Sequence, residues 1–472
     1  MEITAMKRLI KRKLPAMQKK IDEVITAERY YRNENDILRR KDPLADAVQQ
    51  KNREIGKDNP LRNADNRISH PWHRLLVNQK ASYTMTIPPT FDTGDKQLNA
   101  EIPKLLGDSY AKVAKDLCVD ASNAGIAWVH VWIDENNGFF RYAEVDTKQI
   151  IPIFSKKLDT QLVGLLRVYE EDDEEGNSRT VYEYWNDQEC VVYQKKHNYN
   201  LDQLMPYNCF TIYDASTGQP VGEGNRYRHP WGEVPFIPFR NAPDELSDLK
   251  MYKASIDVYD KVYAGFVNDL DDIQEIIFIL TNYSGEDKDQ FMRDLKGSKV
   301  LKLESDGPDD PAGVDTMMIE IPTEARDKML ELTREAIFVQ GQGVDPQKNI
   351  AQNNSGVALK HMYSLLELKA SALETEFRQG FAKLVRFILK YFGADPDIEI
   401  TQTWTRTSIN NDLERAQIVS QLASITSKEA IAKANPIVDN WSDELDRQDE
   451  ESRDEMEMAN DYRSSERDVD GG

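Results

Sequence analysis

Several sets of residues in this sequence have types and spacings that could do chemistry. Gly341-Gln-Gly343, inside FVQGQGVDPQKNIAQNNSGVALK (residues 338–360), has the Gly-x-Gly of a phosphate cradle. Dinucleotide-binding glycines follow a strand and open a helix, whereas these follow a helical pattern and lack a third glycine, so a polar inter-helix loop is the better reading. No GxxxxGK[ST] occurs, which argues against an intrinsic P-loop motor. Asp269, Asp271, Asp272 and Glu275 could hold Mg²⁺ in a nuclease. Asp272 and Glu275 point away from Leu270 and Ile277, however, and charges so placed are ordinarily a solvated helix face. The loop at 306–315 lacks the ligand spacing of an EF-hand. His70, His73 and His130 do not form a metal motif, because HPWH has the wrong spacing and a proline inside it. No nucleophile elbow and no Cys/His pair can be argued from spacing. The residues therefore predict no enzyme, no metal site and no cofactor.

The elements that must position these groups alternate between helical and strand periods. Apolar spacing predicts mostly helix from about residue 6 to 56, with breaks at Pro15 and Pro43, and another helix over 64–81. TMTIPPTFD is extended, and a helix is expected over 97–123. Beyond Gly125, alternation rich in Trp, Val, Tyr and Phe predicts antiparallel strands to about residue 211. Apolar positions from Leu249 to Leu280 recur at threes and fours and predict one long helix over 246–283. A small insert follows, with a helix over 287–295, a strand over 299–303, the turn-rich DGPDDPAGVD and a strand over 317–321. Helices are then expected over 323–340 and 356–392, a strand over 397–406, and helices over 411–423 and 427–435. From Ser442 onward thirteen acids stand against four arginines, which reads as a fraying helix passing into a disordered tail.

Composition narrows the class. A chain of 472 residues, 30% charged and 40% hydrophobic, is globular and too long for one core. The longest apolar runs fall far short of the roughly 20 residues of a membrane-spanning helix. The N-terminus lacks the apolar core of a signal peptide, so a cytoplasmic product is expected. Cys118, Cys190 and Cys209 lie far apart, as reduced structural cysteines do. The net charge of −22 opposes any tight grip on a polyanion. Long one-striped helices need partners along their length, so oligomerisation is expected.

Particular stretches carry a resemblance. HPWGEVPFIPFRNAPDELSDLKMYKASIDVYDKVYAGFVNDLDDIQEIIFIL is the most specific, supported by YYRNENDILRR, NADNRISHPWHRLLVNQKASY, NAGIAWVHVWIDENNG, SGVALKHMYSLLELKA and SKEAIAKANPIVDNWSDELDRQDEE. Over nearly its whole length the chain resembles the portal proteins of tailed bacteriophages, of the long-tailed siphophage type. One departure is TMTIPP after Ser82-Tyr83, where a glycine before the proline is expected.

The resemblance implies an α+β, mainly helical portal fold assembling into a ring with an axial channel. Residues 1–244 would be the wing, 245–283 the first stem helix, 284–322 the clip, 323–339 the second stem helix and 340–355 the tunnel loop. The long wing helix and returning strand would take 356–406, the crown helices 407–445, and the acidic tail 446–472. It further implies a loop offering Gln340, Gln342, Asp345, Gln347, Lys348, Asn349, Gln352, Asn353 and Asn354 to moving DNA, with Gly341, Gly343 and Gly356 as hinges. Channel-lining candidates on the stem are Lys261, Asn268, Asp272 and Glu275, and clip contacts are Asp309, Asp310 and Met317. The implied partners are copies of the chain in a dodecamer, double-stranded DNA, the terminase large subunit, a head-to-tail adaptor, and the major capsid and scaffolding proteins. The implied location is the portal vertex of the virion, after assembly in the host cytoplasm. An acidic metal-dependent nuclease, or another virion structural or adaptor protein, is the alternative.

Overall fold

The structure, a computed structural model, describes residues 1–39, 64–134, 137–158, 160–172, 176–196, 199–213, 219–272, 277–281, 313–317, 322–347, 363–407, 426–428, 431, 444–445 and 447–453. The chain divides into two compact units, 1–343 with 368–405, and 344–367 with 406–472.

The first unit is layered, and the period-2 pattern of its strands explains the layers. The helix α1 (Ile3–Tyr31) lies on a six-stranded antiparallel sheet. That sheet contains β4 (Ile150–Phe154), β5 (Leu162–Asp172), β6 (Ser178–Trp185), β7 (Glu189–Lys196), β8 (Met205–Pro206) and β11 (Arg226–Arg228). Neighbouring residues on each strand go to opposite faces. Ile151, Leu166, Tyr182 and Val191 meet Met6, Leu9 and Ile10 of α1, while Ile150, Leu165, Val181 and Val192 face a second, three-stranded sheet. This second sheet, β3 (Phe140–Val145), β2 (Ile126–Ile133) and β12 (Phe236–Arg240), alternates in the same way. Trp128 and Phe236 point to the large sheet, and Val129, Val131 and Phe239 point to a helical layer. That layer contains α2 (Trp72–Met85), α4 (Tyr110–Ala124) and α7 (Ser364–Phe392). Two further short pairs are β1 (Thr90–Asp92) with β15 (Thr401–Thr403) and β9 (Phe210–Tyr213) with β10 (Pro220–Gly224). The mixed α+β class agrees with the sequence reading.

Several boundaries do not. Pro15 does not break α1, which runs from residue 3 to 31. Burial of Met6, Leu9, Ile10 and Met17 on both sides of the proline outweighs one lost hydrogen bond, and Lys11, whose carbonyl loses its partner, is exposed to water. The helix expected over 64–81 starts only at Trp72, after Pro71, and continues to Met85. The single helix expected over 97–123 is two, α3 (Lys96–Leu106) and α4, separated at Gly107 with its φ of +68°. Asp95 caps α3 by accepting from the N–H groups of Gln97 and Leu98.

The largest correction concerns the long helix over 246–283. Helix α5 spans Leu249–Asp272, and β13 (Ile277–Thr281) pairs antiparallel with β14 (Gly313–Met317). The run Ile276-Ile-Phe-Ile-Leu280 satisfies a helical stripe, but four of its five residues are β-branched or aromatic types that suit a strand. Gly313, Val314 and Asp315, read as turn, are its ladder partners, so the strand expected over 317–321 is described only to Met317. The expected helix over 287–295, the strand over 299–303 and the helix over 411–423 lie outside the described residues. So do residues 356–362, where α7 was expected to begin.

Helix α6 (Thr323–Gln340) packs along α5. Arg326 pairs with Asp269, and Ser255 Oγ donates to Gln340 Oε1 at 2.8 Å. These contacts are fourteen residues apart on both helices, so α5 and α6 run antiparallel and in step. Of the second unit, the described part includes Asp345 Oδ1 accepting from the Gln347 N–H at 2.9 Å and an Arg406–Glu367 ion pair at 3.3 Å.

Candidate functional site

The stretch with the Gly-x-Gly begins where α6 ends, and that end is a formed cap. The Gly343 N–H donates to Phe338 O at 2.9 Å and the Gln342 N–H to Val339 O at 3.2 Å, the paired bonds of a Schellman motif. The left-handed residue of the motif is Gln342, with φ +51°, and not either glycine. Gly341 and Gly343 answer a different need. A Cβ on Gly341 would lie 2.5 Å from Leu76 Cδ1 and 2.8 Å from Ile337 O, and one on Gly343 would lie 2.2 Å from Leu76 Cδ2. The two glycines let the end of α6 close over Leu76 of α2, whose side chain is buried with Ile337, Phe338, Tyr252 and Tyr30.

A buried polar network holds this cap to the rest of the unit. Lys369 of α7 donates from Nζ to Gly341 O at 2.9 Å and lies 2.9 Å from Asp248 Oδ2. Lys80 of α2 donates to the same Asp248 oxygen and to Asn241 Oδ1, both at 2.7 Å. Asn241 Nδ2 donates in turn to Asp248 Oδ1 at 2.8 Å. Two ammonium groups thus share one carboxylate, and helix dipoles supply part of the remaining compensation. Lys369 sits at the negative end of α6, and Asp248 immediately precedes α5, at its positive end. Burial alone would raise the Asp248 carboxyl, but Lys369 and Lys80 outweigh it and hold it well below the usual carboxylate range. Burial pushes the Lys369 ammonium below the usual lysine range, against the pull of Asp248.

His73 lies beside this network, with Nε2 2.9 Å from Asn123 Oδ1 and Nδ1 2.7 Å from the Tyr252 hydroxyl. A neutral ring that donates from Nε2 and accepts at Nδ1 satisfies both contacts. Burial pushes its pKa down to about 4. His130, stacked on Phe236 with ring centroids 4.3 Å apart, is pushed down to about 4 by the same cause. His70 Nδ1 lies 2.7 Å from the buried carboxylate of Asp260. All three histidines are packed into side-chain contacts within the fold.

Of the loop residues singled out in the sequence, Gln340, Gln342, Asp345 and Gln347 are described, and Gln340 and Gln347 are exposed. Lys348, Asn349, Gln352, Asn353, Asn354 and Gly356 lie outside the described residues, as do Glu275, Asp309 and Asp310. On α5, Lys261 is exposed, whereas Asn268 Oδ1 accepts from the Asn66 N–H at 2.6 Å and so holds the chain that leads into α2. Asp272 closes α5, and the Met317 backbone pairs with Ile277. Asp269 pairs with Arg326, and Asp271 Oδ2 accepts from Asn66 Nδ2 at 2.5 Å, so both acids of the nuclease alternative that are described in full are spent on structure. Sequence reasoning missed Leu76, Lys80, Asp248 and Lys369. The one available signal was two lysines standing within otherwise buried helical stripes, Lys80 before Ala81 and Lys369 before Ala370.

Comparisons with known proteins bear on the whole chain. A portal protein of Clostridium phage phiCD119 is 40% identical over 430 residues, covering 88% of this chain and 90% of that protein. A portal protein of Bacillus phage SPP1 is 32% identical over 457 residues, covering 94% of this chain and 87% of that protein. Among solved structures, the neck of an empty GTA particle matches at a TM-score of 0.45 and 13% identity, over 78% of this chain and 90% of that one, which is too loose to carry an argument. The model of the phage portal proteins of the SPP1 Gp6-like type matches residues 10–458, and with that extent of match the chain belongs to this family.

Proposed function

We propose that copies of this chain assemble into a ring, dodecameric in the capsid, whose axial channel passes double-stranded DNA into and out of a phage head at one vertex. Family membership supports this role, and one structural observation carries the assembly. On α6, Met329, Leu332 and Val339 stand 45%, 50% and 53% exposed at heptad-like intervals, and Met251, Val258 and Leu270 are exposed on α5. An apolar stripe on an antiparallel helix pair needs cover, and a head-to-tail contact between copies supplies it while closing a ring. In this reading the layered body is the wing, α5 and α6 are the stem, the β13–β14 pair belongs to the clip, residues 407–445 are the crown and 446–472 the acidic tail.

The loop after the cap is the tunnel loop. Gln347, Lys348, Asn349, Gln352, Asn353 and Asn354 make brief polar contacts with DNA, and Lys348 is the cation among them. Because Gly341 and Gly343 are locked in the cap, movement begins beyond residue 343, and Gly356 is the remaining hinge. The acidic balance of −22 suits a channel that lets a polyanion slide without holding it. Asp309, Asp310 and Met317 are contact candidates for the terminase or the adaptor. Negative-stain images of the purified protein test the assembly: rings with an axial hole are expected, and compact monomers at micromolar concentration would sink it. Phage carrying Lys348→Glu should package DNA more slowly than wild type, and an unchanged rate would remove the loop's role.

A further inference from the structure

The N-terminal helix has a charge opposite to that of the chain. Seven of the first 20 residues are basic and one is acidic, a balance of +6 within a protein of −22. The apolar face of α1 is buried on the large sheet, which fixes the direction in which the cations point. Arg8, Lys11, Arg12 and Lys19 are exposed, and at 100° per residue they fall, with Pro15, within an arc of about 100° over roughly 16 Å of helix. Arg8, Arg12 and Lys19 form no ion pair or side-chain hydrogen bond among the described residues. Lys11 comes only within 3.8 Å of Asp202, in a pair with both side chains mostly in solvent. Like charges at i, i+3 and i, i+4 weaken a helix, and nothing among the described residues accounts for this arrangement. The stripe ends at Asp22 and Glu23, where the sign changes.

We propose that this stripe binds double-stranded DNA through its phosphates, on a surface separate from the channel. The composition of the face selects nucleic acid over an acidic protein. Protein interfaces are anchored by a desolvated apolar or aromatic centre. The other exposed residues on the first five turns are Glu2, Thr4, Ala5, Pro15, Ala16 and Gln18, none of them aromatic or long and apolar. Phosphate recognition needs only cations in a row, and the guanidinium groups of Arg8 and Arg12 suit bidentate contact. The acidic remainder of the chain limits the affinity, but at physiological ionic strength its repulsion is screened within about 8 Å. The contact is therefore weak, independent of sequence and effective where duplex is concentrated.

The test uses the full-length assembled protein and a covalently closed circular duplex, which cannot thread a channel, with binding read by mobility shift across a salt series. Wild type should bind at low salt with a slope of about −3 to −4 in log K against log salt, as for about four phosphate contacts. The variant Arg8→Glu/Arg12→Glu/Lys19→Glu should lose about tenfold or more in affinity at 50 mM salt, while Lys348→Glu retains wild-type binding. Rings in negative stain for both variants keep this result separate from the assembly reading. No binding by wild type at 50 mM salt, or equal binding by the triple variant, overturns the proposal. Displacement by polyglutamate as effective as by duplex of equal charge also overturns it, in favour of an acidic polypeptide.

Discussion

At the scale of single residues, the cap at the end of α6 separates two reasons for a glycine. Gly343→Ala should destabilise the protein by about 1–3 kcal/mol, because its Cβ would lie 2.2 Å from Leu76 Cδ2 and the core around Leu76 is filled. Gln342→Gly should stabilise it by a few tenths to about 1 kcal/mol by relieving the left-handed conformation. Chemical denaturation of both variants checks the pair, and equal effects would refute the assignment. His73 makes a prediction with a sign. Its folded pKa of about 4 lies below the ordinary value of 6.5, so its contribution is complete above about pH 6.5 and is lost as pH falls towards 4. The full loss is about 3 kcal/mol on the linkage relation. In His73→Gln the stability curve between pH 6.5 and 4 should be shallower by about one proton, read by urea denaturation at several pH values. The HPWH spacing in the sequence argues against a metal motif at His70 and His73. It could not show the partners of His73, because Asn123 and Tyr252 are distant in the chain.

At the scale of elements, four helices meet through Asp248. Asp248→Asn leaves the Lys80 and Lys369 ammonium groups without their shared carboxylate and should destabilise by about 3–5 kcal/mol in thermal or chemical unfolding. A loss below 1 kcal/mol would mean that water or the α6 dipole already compensates both cations. The order and class of most elements were legible in the apolar period, including the turn from helix to strands after Gly125. What failed was arbitration between periods. Ile277-Phe-Ile-Leu280 continues the α5 stripe in register, and only its partner strand, more than thirty residues on, makes it β. Pro15 failed for the opposite reason, since a local rule was overridden by burial on the large sheet. The anchors that hold the α6 cap to α2 and α7 are contacts that no local pattern encodes.

At the scale of the whole molecule, the exposed stripe on α6 is the feature most dependent on assembly. Leu332→Asp should leave the fold of a single copy intact, because that side chain is half exposed, and should shift the protein from rings to smaller species in native mass spectrometry. Rings of unchanged stability would place the contact between copies elsewhere. The antiparallel pair α5 and α6 also has a mechanical meaning. The chain enters α5 just after Asp248 and leaves α6 at Gly341, and Lys369 bonds to both points. Further along α5, Asp260 accepts from Asn35 Nδ2 at 2.6 Å and from the His70 N–H at 3.1 Å, and Asn268 and Asp271 both hold Asn66. The pair is therefore a beam of about 35 Å, built in where Lys369 bonds Asp248 and Gly341 and propped along α5 as far as Asn66. A sideways load on the β13–β14 pair is passed to the body first at the Asn66 contacts, so the cap at Gly341, from which the polar loop departs, is shielded from it.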